Sequence, residues 1–128
     1  MSLTTAGINH IAHAIIGDGV TPFNHANARL GVGNGTTAFS VSQTDLQGQD
    51  RARTGMDDGY PSIAADASRV SFKSTFGPLE ANFAWNEWGV FNTESDGVML
   101  NRVVESNGTK QPGQTWILEV SITFTIGN

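Results

Sequence analysis

Apolar and polar side chains alternate most regularly in the second half of the chain. In residues 69–76 the apolar positions are Val70, Phe72 and Phe76, with Arg69, Ser71, Lys73 and Thr75 between them. The final stretch is longer, and one of its faces carries Trp116, Leu118, Val120, Ile122, Phe124 and Ile126. A period of two predicts β-strands with one face against a core. We expect this core to include Phe72, Phe83, Trp85, Leu118, Val120, Ile122 and Phe124.

The stretch between these two strands also alternates, but with a break. The apolar positions from Ala81 to Trp85 change phase before Trp88. One extra residue in a strand produces such a shift, so we predict a β-bulge around Asn86-Glu87.

Short strands separated by turn residues predict the fold class. We expect a mainly β protein, an antiparallel β-sandwich or barrel, with hairpin signals such as Asp96-Gly97 between strands. The length of 128 residues fits a single β-rich domain over residues 1–128.

The N-terminus predicts one short α-helix over residues 6–16, with residues 1–5 as a possible terminal arm. Thr4 or Thr5 can cap the helix, because a hydroxyl accepts an otherwise unpaired backbone N–H. The helix is expected to pack across one open end of the β-structure. Helical spacing gives its apolar face as Ile8, Ile11, Ala12 and Ile15.

Composition excludes several classes of function. The chain has no cysteine, so it holds neither a disulfide nor a thiolate nucleophile nor a sulfur-ligated zinc. Seven Lys and Arg residues are scattered among twelve Asp and Glu residues, and the formal net charge is −5. This balance argues against nucleic acid as a partner. No apolar run approaches the roughly 20 residues of a membrane-spanning helix, so we expect no membrane partner.

Two local patterns suggest ligand binding, and each has a plainer interpretation. Segment 31–36 is rich in glycine, but it lacks the Lys-Ser/Thr pair and the following helix of a phosphate-binding loop. We interpret its glycines as turn residues with positive φ. His10, His13 and His25 suggest a zinc site. However, no carboxylate stands at helical spacing beside the first two, so we interpret them as polar-face or interface histidines.

Glu87 is the carboxylate of most interest, because it lies in an otherwise apolar segment between Trp85 and Trp88. A general acid needs a partner carboxylate or base, and the spacing assigns none. We therefore expect Glu87 to accept hydrogen bonds at the predicted bulge. The sequence predicts no catalytic residue, no cofactor and no enzyme activity. Trp88 leaves open an alternative, a sugar-stacking platform of the kind found in carbohydrate-binding modules.

The order of motifs along the whole chain resembles a known group of proteins. A Leu3-Thr4-Thr5-Ala6-Gly7 start is followed by the glycine-rich 29–35 segment, a polar 43–46 stretch, and a strand that carries Glu87, Gly89 and Phe91. This order is similar to that of the N-terminal domains of bacteriophage tail-collar fibre proteins. It also resembles small stand-alone virion proteins of tailed phages. The family pattern gives Glu87 a structural role.

The resemblance implies a virion structural protein that is assembled in the cytoplasm of a bacterial host. A fibre continues into a shaft, whereas this sequence stops at Asn128. We therefore expect an independent virion part, first of all a capsid decoration (cement) protein that binds and stabilises the head lattice. A small tail or baseplate/fibre-collar adaptor is the alternative. A carbohydrate-binding module is the alternative from another class.

The expected partners are the major capsid protein or other virion subunits, together with further copies of the chain. The resemblance favours a homo-trimer, and the sequence shows no polar cluster that converges on a small-ligand pocket. The final strand carries Ser and Thr, without the lysines that usually protect an exposed edge. Met99, Val103 and Ile117 fall on faces opposite the predicted core, so a neighbour is expected to cover them. With Trp88, they are the candidate interaction residues.

Overall fold

Two antiparallel sheets and one helix make up the computed structural model, which describes residues 2–125. The four-stranded sheet has the order β2-β1-β5-β6, and the three-stranded sheet has the order β3-β4-β7. This arrangement confirms the mainly β prediction, in its sandwich form. The elements are α1 (Thr5–Ile15), β1 (Arg29–Gly33), β2 (Arg51–Gly55), β3 (Ser62–Ile63), β4 (Arg69–Phe76), β5 (Glu87–Phe91), β6 (Met99–Val104) and β7 (Trp116–Thr123).

The core lies between the two sheets. One cluster joins Leu30 and Val90 of the larger sheet to Phe72 of the smaller one. A second cluster surrounds Phe76 and Trp85, whose rings meet edge to face at 4.9 Å. Burial is confirmed for four residues of the predicted core, Phe72, Trp85, Val120 and Ile122. Two further members, Phe83 and Leu118, are partly buried and pack against it.

Phe124 was expected in the core, and that prediction is wrong. The pairing of β7 with β4 ends at Thr123, and 56% of Phe124 is exposed to solvent. Its backbone still continues the ladder by one hydrogen bond, from its N–H to the Ser68 carbonyl at 2.7 Å. The Phe124 side chain lies beyond the last paired residue of β7, where the core between the two sheets no longer encloses it. Ile126, predicted on the same face, lies outside the described residues.

The helix begins one residue earlier than predicted, and of its predicted apolar face Ile11 packs against the core. Thr4 is its N-cap and accepts a hydrogen bond from the Gly7 N–H at 2.9 Å, which confirms the predicted cap. Gly7 and His10 are its buried residues, whereas Ile8 and Ile15 are 57% and 79% exposed. The helix packs closely against β6 at Gly7, and this contact determines which face is buried. Any Cβ at Gly7 would collide with the Leu100 carbonyl.

The segment predicted as a possible terminal arm is docked over residues 3–5. Leu3 forms a bridge with Asn101, and the Thr4 N–H donates to the Leu100 carbonyl at 3.0 Å. The Thr4 hydroxyl also donates to the Met99 carbonyl at 2.5 Å. This segment therefore covers part of the outer edge of β6. Met1 lies outside the described residues.

The prediction of a bulge around Asn86-Glu87 is wrong. The ladder between β5 and β6 is regular at Glu87 and becomes irregular between Val90 and Phe91, opposite Leu100. The change of apolar phase near Glu87 has another cause, since both faces of β5 are buried. Its inner face packs in the core, and residues 34–50 cover its outer face.

Candidate functional site

Glu87 lies at the start of β5, on the face of the larger sheet that points away from the core. Its side chain is completely buried, and it accepts a hydrogen bond from the Arg102 Nε at 2.7 Å. Three backbone N–H groups of the covering loop also donate to it, from Gly35 at 2.9 Å, Gln47 at 2.8 Å and Gly48 at 2.7 Å. The prediction that Glu87 is a hydrogen-bond acceptor is confirmed, although no bulge is present there.

These donors determine the ionisation of Glu87. Burial by itself would raise the pKa of the carboxyl group, because a charge is less stable away from water. The Gln47 N–H, the Arg102 guanidinium and the N–H groups of Gly48 and Gly35 act the other way and bring the pKa below its ordinary value. Glu87 is therefore an ionised group whose two oxygens are occupied by protein donors.

The glycines around Glu87 have a steric role. The sequence predicts positive φ in segment 31–36, but Gly31 and Gly33 are strand residues, and none of the positive-φ glycines falls in this segment. A Cβ at Gly33 or Gly35 would collide with the Glu87 carboxylate, and one at Gly31 would collide with the Phe91 ring. The turn interpretation was wrong, because these glycines make space for side chains of β5.

Met99 does not belong to a surface. It is fully buried beneath the covering loop, in a cluster with Leu46 and Phe91. Its prediction as an interaction residue is wrong, because the face opposite the core is itself covered at this point. Arg53 closes this cluster, with its guanidinium 3.6 Å from the centre of the Phe91 ring.

Two buried cations escaped the sequence analysis, which counted them among scattered charges. Arg102 is 1% exposed, and it binds Gln43 through Nη1 as well as Glu87 through Nε. Lys110 is also 1% exposed, and its Nζ donates to the Gly77 carbonyl at 2.6 Å and to Asn82 Oδ1 at 2.7 Å. No sequence signal separates these cations from exposed ones, because their partners lie far away along the chain.

The other three candidate interaction residues lie near one another. Trp88 is paired with Val103 across the β5–β6 ladder and packs against both core clusters. Paired residues share a face, so Val103 lies on the inner side of the sheet, and its predicted outward placement was wrong. Ile117 lies on the outer face of β7 and is 59% exposed, as predicted.

Trp88 and Ile117 both line one cleft of about 310 Å³ between the sheets. Trp116 also lines it, and the Trp116 and Trp85 rings meet at 5.0 Å. The polar residues of the cleft are Glu105, Asn107 and Glu119. The structure thus combines indole rings with carboxylate and amide groups at one end of β7.

An apolar groove of about 400 Å³ lies at the other end of β7, and the sequence analysis missed it. The helix contributes Ile11 and Ile15, whereas Ile122 and Phe124 come from β7 and the residues after it. Among residues 2–125, His10 is the one polar side chain that lines it, and its Nε2 is bonded to the Thr21 carbonyl at 2.7 Å. The apolar positions of the helix could have indicated this groove, but the sequence analysis assigned them to the core.

Between the cleft and the groove, β7 has an unpaired edge. It pairs with β4 along eight residues, and no other strand in residues 2–125 pairs with it. Because the Phe124 N–H bonds to Ser68, the even-numbered residues of the ladder bond to β4. The N–H and C=O groups of the odd-numbered residues point outward, and these are Ile117, Glu119, Ser121 and Thr123.

The histidines are separated in space. His10 bonds to Thr21, His13 lies 2.5 Å from Asp18, and His25 bonds to the Tyr60 carbonyl at 2.6 Å. No three metal-binding side chains of residues 2–125 lie close enough to hold an ion. Over the same span, no helix is long and apolar enough to cross a membrane.

Comparison with protein families and with curated proteins adds no relative. No protein-family model matches the chain, and no curated protein shows significant similarity to it.

Proposed function

We propose that the protein is a structural protein that works by contact with other proteins, and that it is a phage capsid decoration (cement) protein. The unpaired edge of β7 is the observation that carries the first half of this proposal. An edge strand presents a row of free N–H and C=O groups that pair readily with another chain. The resemblance in sequence to small phage virion proteins carries the second half.

The surface beside this edge is suited to a protein partner. Ile15 and Phe124 border the apolar groove and are mostly exposed, as is Ile16, which directly follows the helix. Contiguous exposed apolar groups of this kind mark interaction sites in soluble proteins. The major capsid protein or another virion subunit is the proposed partner, with the virion as the location. A tail or baseplate adaptor would use the same surface.

Capsid binding tests the proposal directly. The purified protein is mixed with phage capsids that lack decoration, and its occupancy and the heat stability of the particles are measured. We expect saturable occupancy and a higher disruption temperature. Absence of binding to both capsids and tails would contradict the proposal.

Two matched isoleucine variants locate the surface. Ile15→Asp places a charge beside the groove and is expected to weaken the affinity for capsids at least tenfold, about 1.4 kcal/mol of binding free energy. Ile63→Asp changes an isoleucine of similar exposure, 71% against 79%, on β3. It is expected to leave binding unchanged. Equal effects of the two variants would show that the groove is not the contact surface.

The cleft at Trp88 favours a second candidate, a carbohydrate-binding module. Indole faces can stack on sugar rings, and the groups of Glu105, Asn107 and Glu119 can bind hydroxyl groups. A glycan array tests this with the wild type and with Asn107→Ala, an exposed change that leaves the core intact. Binding to a defined glycan that Asn107→Ala abolishes would favour the sugar-binding function.

A further inference from the structure

We infer that the edge of β7 pairs with β7 of a second copy, in an antiparallel register centred on Val120. The pairing joins two three-stranded sheets into one continuous sheet of about six strands. The inference deepens the proposed function by naming a first partner, another copy of this chain. It rests on the proposed function in one respect, namely that the edge serves association with other proteins.

Symmetry restricts the register. Two antiparallel copies of one strand are related by a two-fold axis perpendicular to the sheet, so directly opposed residues lie on the same face. Faces alternate along β7, so the axis has to lie midway between the two copies of one residue. It cannot lie level with the bond between two successive residues, because residues of opposite faces would then be paired. The centres that keep most of Trp116–Thr123 paired are Glu119 and Val120.

The outward backbone groups favour Val120. With that centre, Ile117 lies opposite Thr123 and Glu119 lies opposite Ser121, each in both directions. All four outward-pointing residues then find a partner, and since each such pair exchanges two hydrogen bonds, about eight form. Centred on Glu119, three pairs form about six bonds, and Thr123 falls opposite a residue beyond the strand.

Charge gives the same answer. A centre at Glu119 places two carboxylates directly opposite each other, which destabilises a strand pair. The centre at Val120 faces each Glu119 with a serine, and the outer face of β7 carries no other charge from Ile117 to Thr123. No lysine blocks the edge, although lysine is the residue that usually prevents such pairing.

The apolar side chains become covered in this register. On the inner face, Leu118 lies opposite Ile122 of the second copy, and Trp116 lies opposite its Phe124. The Phe124 ring, which is 56% exposed in the single chain, thereby gains an indole neighbour. Edge-to-edge pairing about a two-fold axis is complete with two copies, so this contact forms a dimer, whereas the resemblance favours a trimer.

Disulfide cross-linking reads the register, because the chain has no cysteine of its own. Directly opposed residues of this kind have Cα atoms about 5.5 Å apart, within the range of a disulfide, and diagonal ones are too far apart. With the centre at Val120, a mixture of Glu119→Cys and Ser121→Cys is expected to form a disulfide dimer that neither variant forms alone. Cross-linking of Glu119→Cys or of Ser121→Cys alone would show a different register and overturn the inference.

Blocking the edge provides the second test, by sedimentation analysis of the mass. Ser121→Pro removes an outward N–H that the chain itself does not use, and it is expected to convert the dimer to a monomer. Ser121→Ala keeps this N–H and loses the same 2.9 Å contact with the Ser71 hydroxyl, so it is expected to remain a dimer. A wild-type protein that is monomeric at every concentration would overturn the inference.

Capsid binding by the same variants separates the inference from the proposed function. Dimers that ignore capsids and tails would refute the proposed function and leave the β7 contact standing. A monomeric wild type that still decorates capsids would refute the β7 contact and leave the proposed function standing.

Discussion

The Glu87 carboxylate lies 2.7 Å from the Arg102 guanidinium, and both side chains are completely shielded from solvent. The pair connects β5 to β6, and through Glu87 it holds the backbone of the loop over residues 34–50. A buried charge is tolerated when hydrogen bonds surround it, and Glu87 accepts four. The carboxylate that the sequence singled out thus anchors the loop that covers the outer face of β5.

Removing this charge is expected to destabilise the fold. Glu87→Gln leaves Arg102 buried without its counter-ion, which should lower the free energy of unfolding by about 3–5 kcal/mol. Glu105→Gln, at an exposed position, should change it by less than about 0.5 kcal/mol. Denaturant unfolding followed by tryptophan fluorescence measures both. A loss below about 1 kcal/mol for Glu87→Gln would mean that the pair contributes little.

The same carboxylate predicts a pH dependence. Its pKa is lower in the folded protein than the ordinary value of 4.5, so the unfolded chain binds the proton more tightly. The stability it contributes is therefore present above pH 4.5 and is lost as the pH falls through the folded-state pKa. Unfolding of the wild type and Glu87→Gln should be compared from neutral to acid pH. We expect their difference in stability to shrink in acid, and a constant difference would contradict the lowered pKa.

The end of β7 allows a direct test of the corrected core. Phe124→Ala should cost less than about 1 kcal/mol in the monomer, because its ring is largely exposed. Phe76→Ala should cost about 3–5 kcal/mol, since a fully buried ring leaves a cavity. Thermal or denaturant melts at low protein concentration distinguish the two. Similar losses would restore Phe124 to the core.

The steric role of the glycines is testable at two strand positions. Gly33→Ala should destabilise the protein by about 1–3 kcal/mol, because the new methyl group would collide with the Glu87 carboxylate. Gly55→Ala is the control, because there the nearest atom to the new methyl group is Arg29 Nη1 at 3.6 Å, an ordinary contact. It should change stability by less than about 1 kcal/mol. If the two variants melt alike, Gly33 is not required for space.

The sequence by itself determined the strands whose two faces differ. The alternation in residues 69–76 and 116–122 identified β4 and β7, because one face of each strand packs in the core and the other does not. It also limited the helix cap to Thr4 or Thr5, of which the structure uses Thr4, since capping is decided by residues within one turn. Local patterns carry this information because the chain itself sets the spacing.

Tertiary structure decided which surface covers each face. Periodicity shows that two faces differ, but it does not show that residues 34–50 fold over β5 and bury Glu87 and Met99. In the helix, Gly7 contacts β6, whereas Ile8 and Ile15 of the apolar stripe do not. The reason is that the helix approaches a strand more closely at a residue without a side chain. These outcomes depend on contacts between residues far apart in sequence, for which spacing along the chain carries no signal.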